Sequence, residues 1–199
     1  MFLRRFTQLQ LGLFLYGLSI ALMVRAELGL NPWSVFHQGL SDVTGVSMGL
    51  VVNGVGLLVL LLWIPLRQKP GIGTICNVLL IGTVADLCLR VLPPLDALWL
   101  RSVFLIAGVL LNAVATGAYI GAGLGPGPRD GITTGLLRVT KWEVRWVRTG
   151  VEATVLALGW LMGGTVGVGT VLFVATTGPL LQIFLPLLPR PEVAPPTVL

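Results

Sequence analysis

Charge is the scarcest commodity in this 199-residue chain: Asp, Glu, Lys and Arg together make up 11% of it, against 55% apolar residues. A soluble domain carries roughly 25% charged residues. Too few are present here to solvate a globular surface, and the mean hydropathy of +0.92 agrees. The same figures exclude a disordered chain, which needs low hydrophobicity and high charge. Cysteine is nearly absent as well. Cys76 and Cys88 sit in one apolar run, about 18 Å apart if that run is helical, which is beyond disulfide reach. Catalytic signatures are missing too. No Gly-Lys-Ser/Thr follows any glycine-rich run, and neither His-Glu-x-x-His nor Gly-x-Ser-x-Gly occurs, so nucleotide hydrolysis and membrane hydrolysis lack their parts. The expectation is a non-enzymatic integral membrane protein with no cofactor and no metal.

What is there is a set of long apolar runs. A helix needs about 20 mainly apolar residues to cross the hydrocarbon core. Six segments meet that length, at 8–25, 46–66, 72–91, 101–122, 147–164 and 167–188. Glycines and prolines divide them, among them Gly29/Pro32, Pro93-Pro94 and the run at 123–128. The tail 190–199 (RPEVAPPTVL) is proline-rich and reads as disordered and cytoplasmic. Arg4 and Arg5 before an apolar stretch suggest a signal peptide, but no small-x-small cleavage site with a soluble domain follows, so the first span is expected to stay.

Lys and Arg fall unevenly about these spans. With the N-terminus cytoplasmic, ten lie on that side (Arg4, Arg5, Arg67, Lys69, Arg129, Arg138, Lys141, Arg145, Arg148, Arg190) and three on the other (Arg25, Arg90, Arg101). The positive-inside rule then places both termini in the cytoplasm of a bacterial inner-membrane protein. Trp63, Trp99, Trp142 and Trp146 fall near the expected interfaces, as an aromatic belt does. The net charge of +5 is therefore explained by the bilayer, and no nucleic-acid partner is expected.

Sliding the chain along itself gives a match at an offset of 96. Residues 27–82 align without a gap on 123–178, with 18 identities in 56 positions that include Gly, Pro and Thr rather than apolar residues alone. This divides the chain into a first repeat at 1–95 and a second at 96–189. Three spans per repeat turn the second half over in the bilayer, the inverted construction of many secondary transporters. Each repeat also breaks after its first span, at Asn31-Pro32 and Gly127-Pro128. Proline at a first helical turn after a capping residue predicts short broken or re-entrant helices over 32–43 and 128–140. Paired Gly/Pro-interrupted segments of this kind point to a binding site, because irregular backbone at membrane depth needs protein or a watery cavity around it.

The stretch Gly123–Gly131 (GLGPGPRDG), its partner Gly29–Gly39 (GLNPWSVFHQG) and the Gly-x-Gly-Thr at Gly71–Thr74 resemble the YczE-type bacterial membrane proteins, which are distantly similar to the YitT group. The resemblance runs over nearly all of residues 5–188, and Pro-Arg-Asp-Gly is its most specific element. It implies an inner-membrane protein, in some cases linked to production of secreted antibiotics, and it implies no substrate. It also implies an acid after Pro-Trp in many relatives. Here that position is Ser34, so Asp130 lacks a symmetric carboxylate.

Charged groups within spans are costly enough to count as functional candidates. Arg129 and Asp130 put a cationic fork and a carboxylate at the start of a short helix; the alternative is a helix cap plus a positive-inside arginine. In the first repeat Trp33 stands at the position of Arg129, and Asn31 at that of Gly127. His37 aligns with Thr133 and shares a helix face with Trp33. Asp86 and Glu152 are candidates for proton coupling, but each also stands four residues from an arginine, Arg90 and Arg148, and an i,i+4 ion pair is the plainer role. Asn53, Asn77 and Asn112 suit interhelical hydrogen bonds.

These readings converge on an all-α membrane protein: six transmembrane helices as two inverted three-helix repeats, each with a short broken or re-entrant helix. The function they point to is a small-molecule secondary transporter with a midplane site of Asn31, Trp33, His37, Arg129, Asp130 and Thr133, coupled to protons through Asp86 or Glu152. Its partners are the lipid bilayer and a small-molecule substrate, and its size is compatible with a homodimer. The rival is a non-transporting scaffold for a biosynthetic or secretion complex.

Overall fold

The computed structural model describes residues 2–187, the side chain of Leu185 aside, and these form eight α-helices with no strand. They are α1 (Phe2–Ala26), α2 (Pro32–Thr44), α3 (Met48–Trp63), α4 (Ile72–Val91), α5 (Leu98–Gly121), α6 (Pro128–Thr140), α7 (Val144–Leu161) and α8 (Val168–Leu187). The tail at 190–199, expected to be disordered, lies outside the described residues. Helices α1, α4 and α5 are long and apolar enough to cross a membrane. Helices α2 and α3 pass the same test only together, as a pair bent by 113°. Helix α7 carries Arg145, Arg148 and Glu152, and the apolar part of α8 (Val168–Phe184) is shorter.

Local chemistry sets the ends of the two short helices. Pro32 opens α2, the Asn31 Oδ1 accepts from the Ser34 amide at 2.9 Å, and Gly45 closes it at φ 70°. Pro128 opens α6, the Asp130 carboxylate accepts from the Gly127 amide at 3.2 Å, and Lys141 closes it at φ 57°. Proline contributes a preset φ and no unsatisfied amide, and the side-chain oxygen takes up an orphan N–H. Helix α1 begins at Phe2 rather than at residue 8. Its polar first turns are held by the end of α5: Arg5 donates to the Ala122 and Gly123 carbonyls, and Gln8 to the Ala118 carbonyl. Helix α3 stops at Trp63 instead of residue 66, ahead of Pro65 and the left-handed Arg67 (φ 51°).

Every helix of the second half starts 96 residues after one of the first: 2 and 98, 32 and 128, 48 and 144, 72 and 168. Left-handed backbone recurs at the same interval, at Glu27 and Gly123, Gly29 and Gly125, Gly45 and Lys141, Arg67 and Gly163. Hydrogen bonds follow suit. The Gly73 amide donates to the Leu124 carbonyl at 2.8 Å, and the Gly169 amide to the Leu28 carbonyl at 2.7 Å. Arg5 reaches Gly123, and Arg101 reaches the Glu27 carboxylate at 2.7 Å.

The core is built on α1 between α4 and α5, with Leu9, Leu13, Ile20 and Met23 fully buried. Helices α1 and α5 cross at two related glycines. A Cβ on Gly12 would lie 2.9 Å from the Tyr119 amide, and one on Gly108 would lie 2.7 Å from Met23 Cγ. Close approach through small residues is how helices associate where lipid is as apolar as leucine. A second cluster joins α2, α3 and α6 through Trp33, Val55, Val59, Trp63 and Ile132. The halves differ in one respect: α3 packs along α4, whereas α7 lies mainly on α2 and α6 instead of α8.

Candidate functional site

Where the short helices begin, the helices enclose a cavity of about 290 Å³. The wall includes Asn31, Pro32 and Trp33 from the start of α2 and Gly127, Pro128 and Arg129 from the start of α6. These are three pairs at the repeat interval, and Tyr16 with Asn112, Asn77 with Phe173 and Ile81 with Thr177 make three more. The remaining wall comes from α4, α5, the rest of α6, α7 and α8, among them Thr116, Asp130, Thr133 and Glu152.

Arg129 is the centre of its polar part. The guanidinium donates to the Tyr16 hydroxyl at 3.2 Å, and its carbon lies 5.8 Å from the Tyr16 ring centroid and 5.2 Å from that of Trp33. Both distances are within cation–π range. Arg129 forms no ion pair among the described residues, although Asp130 is its neighbour in sequence. The Asp130 carboxylate is turned the other way, accepting from the Tyr119 hydroxyl at 2.6 Å and from the Gly127 amide. Tyr119 and Tyr16 meet edge to face, with centroids 6.2 Å apart. The four side chains therefore form a chain of contacts from Arg129 through Tyr16 and Tyr119 to Asp130, across α1, α5 and α6.

Asn31 is buried and spent on Ser34: its Oδ1 accepts from the Ser34 amide and its Nδ2 donates to the Ser34 hydroxyl, both at 2.9 Å. It shapes the start of α2. Thr133 lines the cavity one turn beyond Arg129. His37 sits behind Trp33, with ring centroids 6.1 Å apart, and is 1% exposed. It opens not into the main cavity but into an adjoining chamber of about 20 Å³ whose lining also includes Arg129, Asn77 and Trp33. His37 Nδ1 is buried without a hydrogen-bond partner.

The two carboxylates proposed for proton coupling part company. Glu152 lines the cavity and accepts from Arg148 Nε at 2.9 Å, the i,i+4 pair that its spacing allows. Asp86 lines neither space. It accepts from the Ser47 hydroxyl at 2.5 Å and the Gly49 amide at 2.7 Å, and so holds the start of α3 against α4; Arg90 takes no part. Of the three asparagines expected to bond between helices, Asn53 does so with the Gly82 amide and Thr83, and Asn112 with Ser19, whereas Asn77 makes no such bond among the described residues and lines the cavity.

Sequence reasoning passed over Tyr16 and Tyr119. The tyrosines leave a trace in hindsight. They are the two in the chain, and Tyr16 stands mid-span, away from the interfaces where tyrosine gathers. Tyr16 also aligns at the repeat interval with Asn112, a second polar group in mid-span.

Comparison with known proteins adds a family. A model described as a family of unknown function (DUF6198) matches residues 3–186. An uncharacterised protein of Haemophilus influenzae is 35% identical over 179 residues, which cover 90% of this chain and 82% of that protein. The uncharacterised membrane protein YczE of Bacillus subtilis is also 35% identical, over 177 residues covering 88% and 82%. A further B. subtilis protein, YyaS, is 27% identical over 184 residues. No solved structure matches.

Proposed function

This chain belongs to that family of membrane proteins (DUF6198), and we propose that it is a small-molecule secondary permease of the bacterial inner membrane. In this reading the eight helices make six spans in two inverted repeats, with α2 and α6 entering from opposite faces and both termini cytoplasmic. The observation that carries it is the cavity, because its wall is assembled from residue pairs at the 96-residue interval, at the starts of the two interrupting helices. Inverted-repeat transporters place their sites between repeats, at broken helices whose N-termini point to the ligand. Arg129, Trp33, Thr133 and Asp130 line that site, and Glu152 supplies the carboxylate for proton coupling. Asn31 positions α2. Asp86 has a structural task at α3 and is the weaker proton carrier.

The test is thermal unfolding of the purified full chain in detergent, against a broad library of small metabolites and ions at several pH values. A ligand at 100 times its Kd adds about 2.7 kcal/mol of apparent stability. A shift in the wild type that is lost in Arg129→Ala supports the permease. A folded wild type that responds to nothing in the library, together with an unchanged cellular phenotype in Arg129→Ala at equal expression, overturns this site and leaves the scaffold.

A further inference from the structure

We infer that the cavity selects a small organic monoanion, a planar carboxylate or equivalent oxyanion on an apolar body, with Arg129 as its anchor. The inference rests on the permease reading above and names its substrate class. Charge comes first. Four ionised side chains line the cavity: Arg129, Arg148, Asp130 and Glu152. They cancel in pairs. The N-termini of α2 and α6 open on the same space, and each contributes roughly half a positive charge. The remainder is about one positive charge, which one negative group matches.

The hydrogen bonds say where that group sits. Glu152 already has a cation at its carboxylate, Arg148, and Asp130 already takes two donors on Oδ2, from Tyr119 and its own helix start. Arg129 has no acid partner among the described residues, and the one hydrogen bond of its guanidinium goes to the neutral Tyr16 hydroxyl, whereas Arg148 is paired with Glu152. A guanidinium presents five donors in a planar fork that fits a carboxylate. His37 gives an independent pointer. Its Nδ1 is buried and unpartnered, and its ring lines the small chamber that Arg129 also lines, so an oxygen held there would give Nδ1 the partner it lacks. The faces of Tyr16 and Trp33 beside the guanidinium suit a flat apolar body. At about 30 Å³ per water molecule of liquid, the main cavity of about 290 Å³ has room for roughly ten waters, which suits a compact acid.

Four probes of one shape separate the alternatives: benzoate, benzamide, benzylamine and phthalate, titrated into the detergent-purified full chain and followed by Trp33-sensitive fluorescence and thermal shift. Benzoate is expected to bind, and the neutral, cationic and dianionic analogues to bind at least tenfold more weakly. Arg129→Gln weakens benzoate by roughly 10- to 100-fold, the value of a charge-assisted bond. Arg129→Lys, which keeps the charge without the fork, falls between and guards against a folding defect. Equal binding of benzamide and benzoate, or benzoate binding unchanged in Arg129→Gln, overturns the inference. So does an Arg129-dependent cation or neutral hit from the broad screen, which leaves the permease standing. Unchanged benzoate affinity in His37→Phe removes His37 from the site.

Discussion

Gly131→Ala puts the packing at the candidate site to a quantitative test. Gly131 lies on the first turn of α6, two residues after Arg129, against the ring of Trp63 at the end of α3. A Cβ there would stand 1.9 Å from Trp63 Cζ2 and 2.3 Å from Cε2. The ring cannot yield as a flexible chain would. It is 2% exposed, and its Nε1 donates to the Pro128 carbonyl at 3.0 Å. One methyl therefore displaces the indole or pushes α6 off α3, and either movement breaks that bond. Overpacking costs about 1–3 kcal/mol, and the bond adds about 1 kcal/mol. At roughly 2–4 °C per kcal/mol for a chain of this size, unfolding should come about 5–15 °C earlier. The assay is thermal unfolding in detergent of wild type, Gly131→Ala, Trp63→Leu and the double variant. Trp63→Leu also loses stability, but in the double variant the methyl occupies space the indole has left. Its cost should then be smaller than the sum by about 0.5–3 kcal/mol, the coupling of contacting residues. A Gly131→Ala protein as stable as wild type, or strictly additive losses, would refute this account of the α3–α6 contact.

Two further outcomes are expected. Asp86→Asn removes a charged acceptor from the start of α3, where two donors and the helix dipole converge, so unfolding should come earlier by an amount corresponding to about 0.5–2 kcal/mol. Ligand binding should hold, and a normal unfolding temperature with lost pH-dependence of transport would restore Asp86 to proton coupling. With Cys76 and Cys88 replaced, an impermeant maleimide on intact cells should label Asp96→Cys and spare Lys69→Cys and Lys141→Cys, all three being exposed positions; the opposite pattern would reverse the orientation drawn from the arginines and lysines.

The short helices were the most legible part of the fold. Residues 32–43 and 128–140 were expected from Asn31-Pro32 and Gly127-Pro128, and α2 and α6 span 32–44 and 128–140. A cap and a proline act within one turn, so sequence carries their effect undiluted. Span edges were less legible, since polar residues extend or shorten a helix according to what receives them. Arg5 and Gln8 stay helical in α1 because carbonyls at the end of α5 await them. Asp86 shows the limit for side chains. Spacing favoured Arg90, but the fold brought Ser47 and Gly49 closer.

The sequence by itself determined that this is a helical membrane protein, because 11% charge leaves no other solvent for its apolar surface. It also determined a repeat at 96 residues and the breaks within it, which are properties of the chain read in order. Arg129 and Asp130 could be singled out in the same way. Only the tertiary structure decided that the two point apart, Arg129 to Tyr16 and Trp33 and Asp130 to Tyr119. The same holds for Glu152 reaching the cavity while Asp86 does not, and for His37 lying behind Trp33. These are relations between helices far apart in the chain. They follow from how closely glycines such as Gly12, Gly108 and Gly131 let backbones and rings approach, and no local pattern encodes that distance.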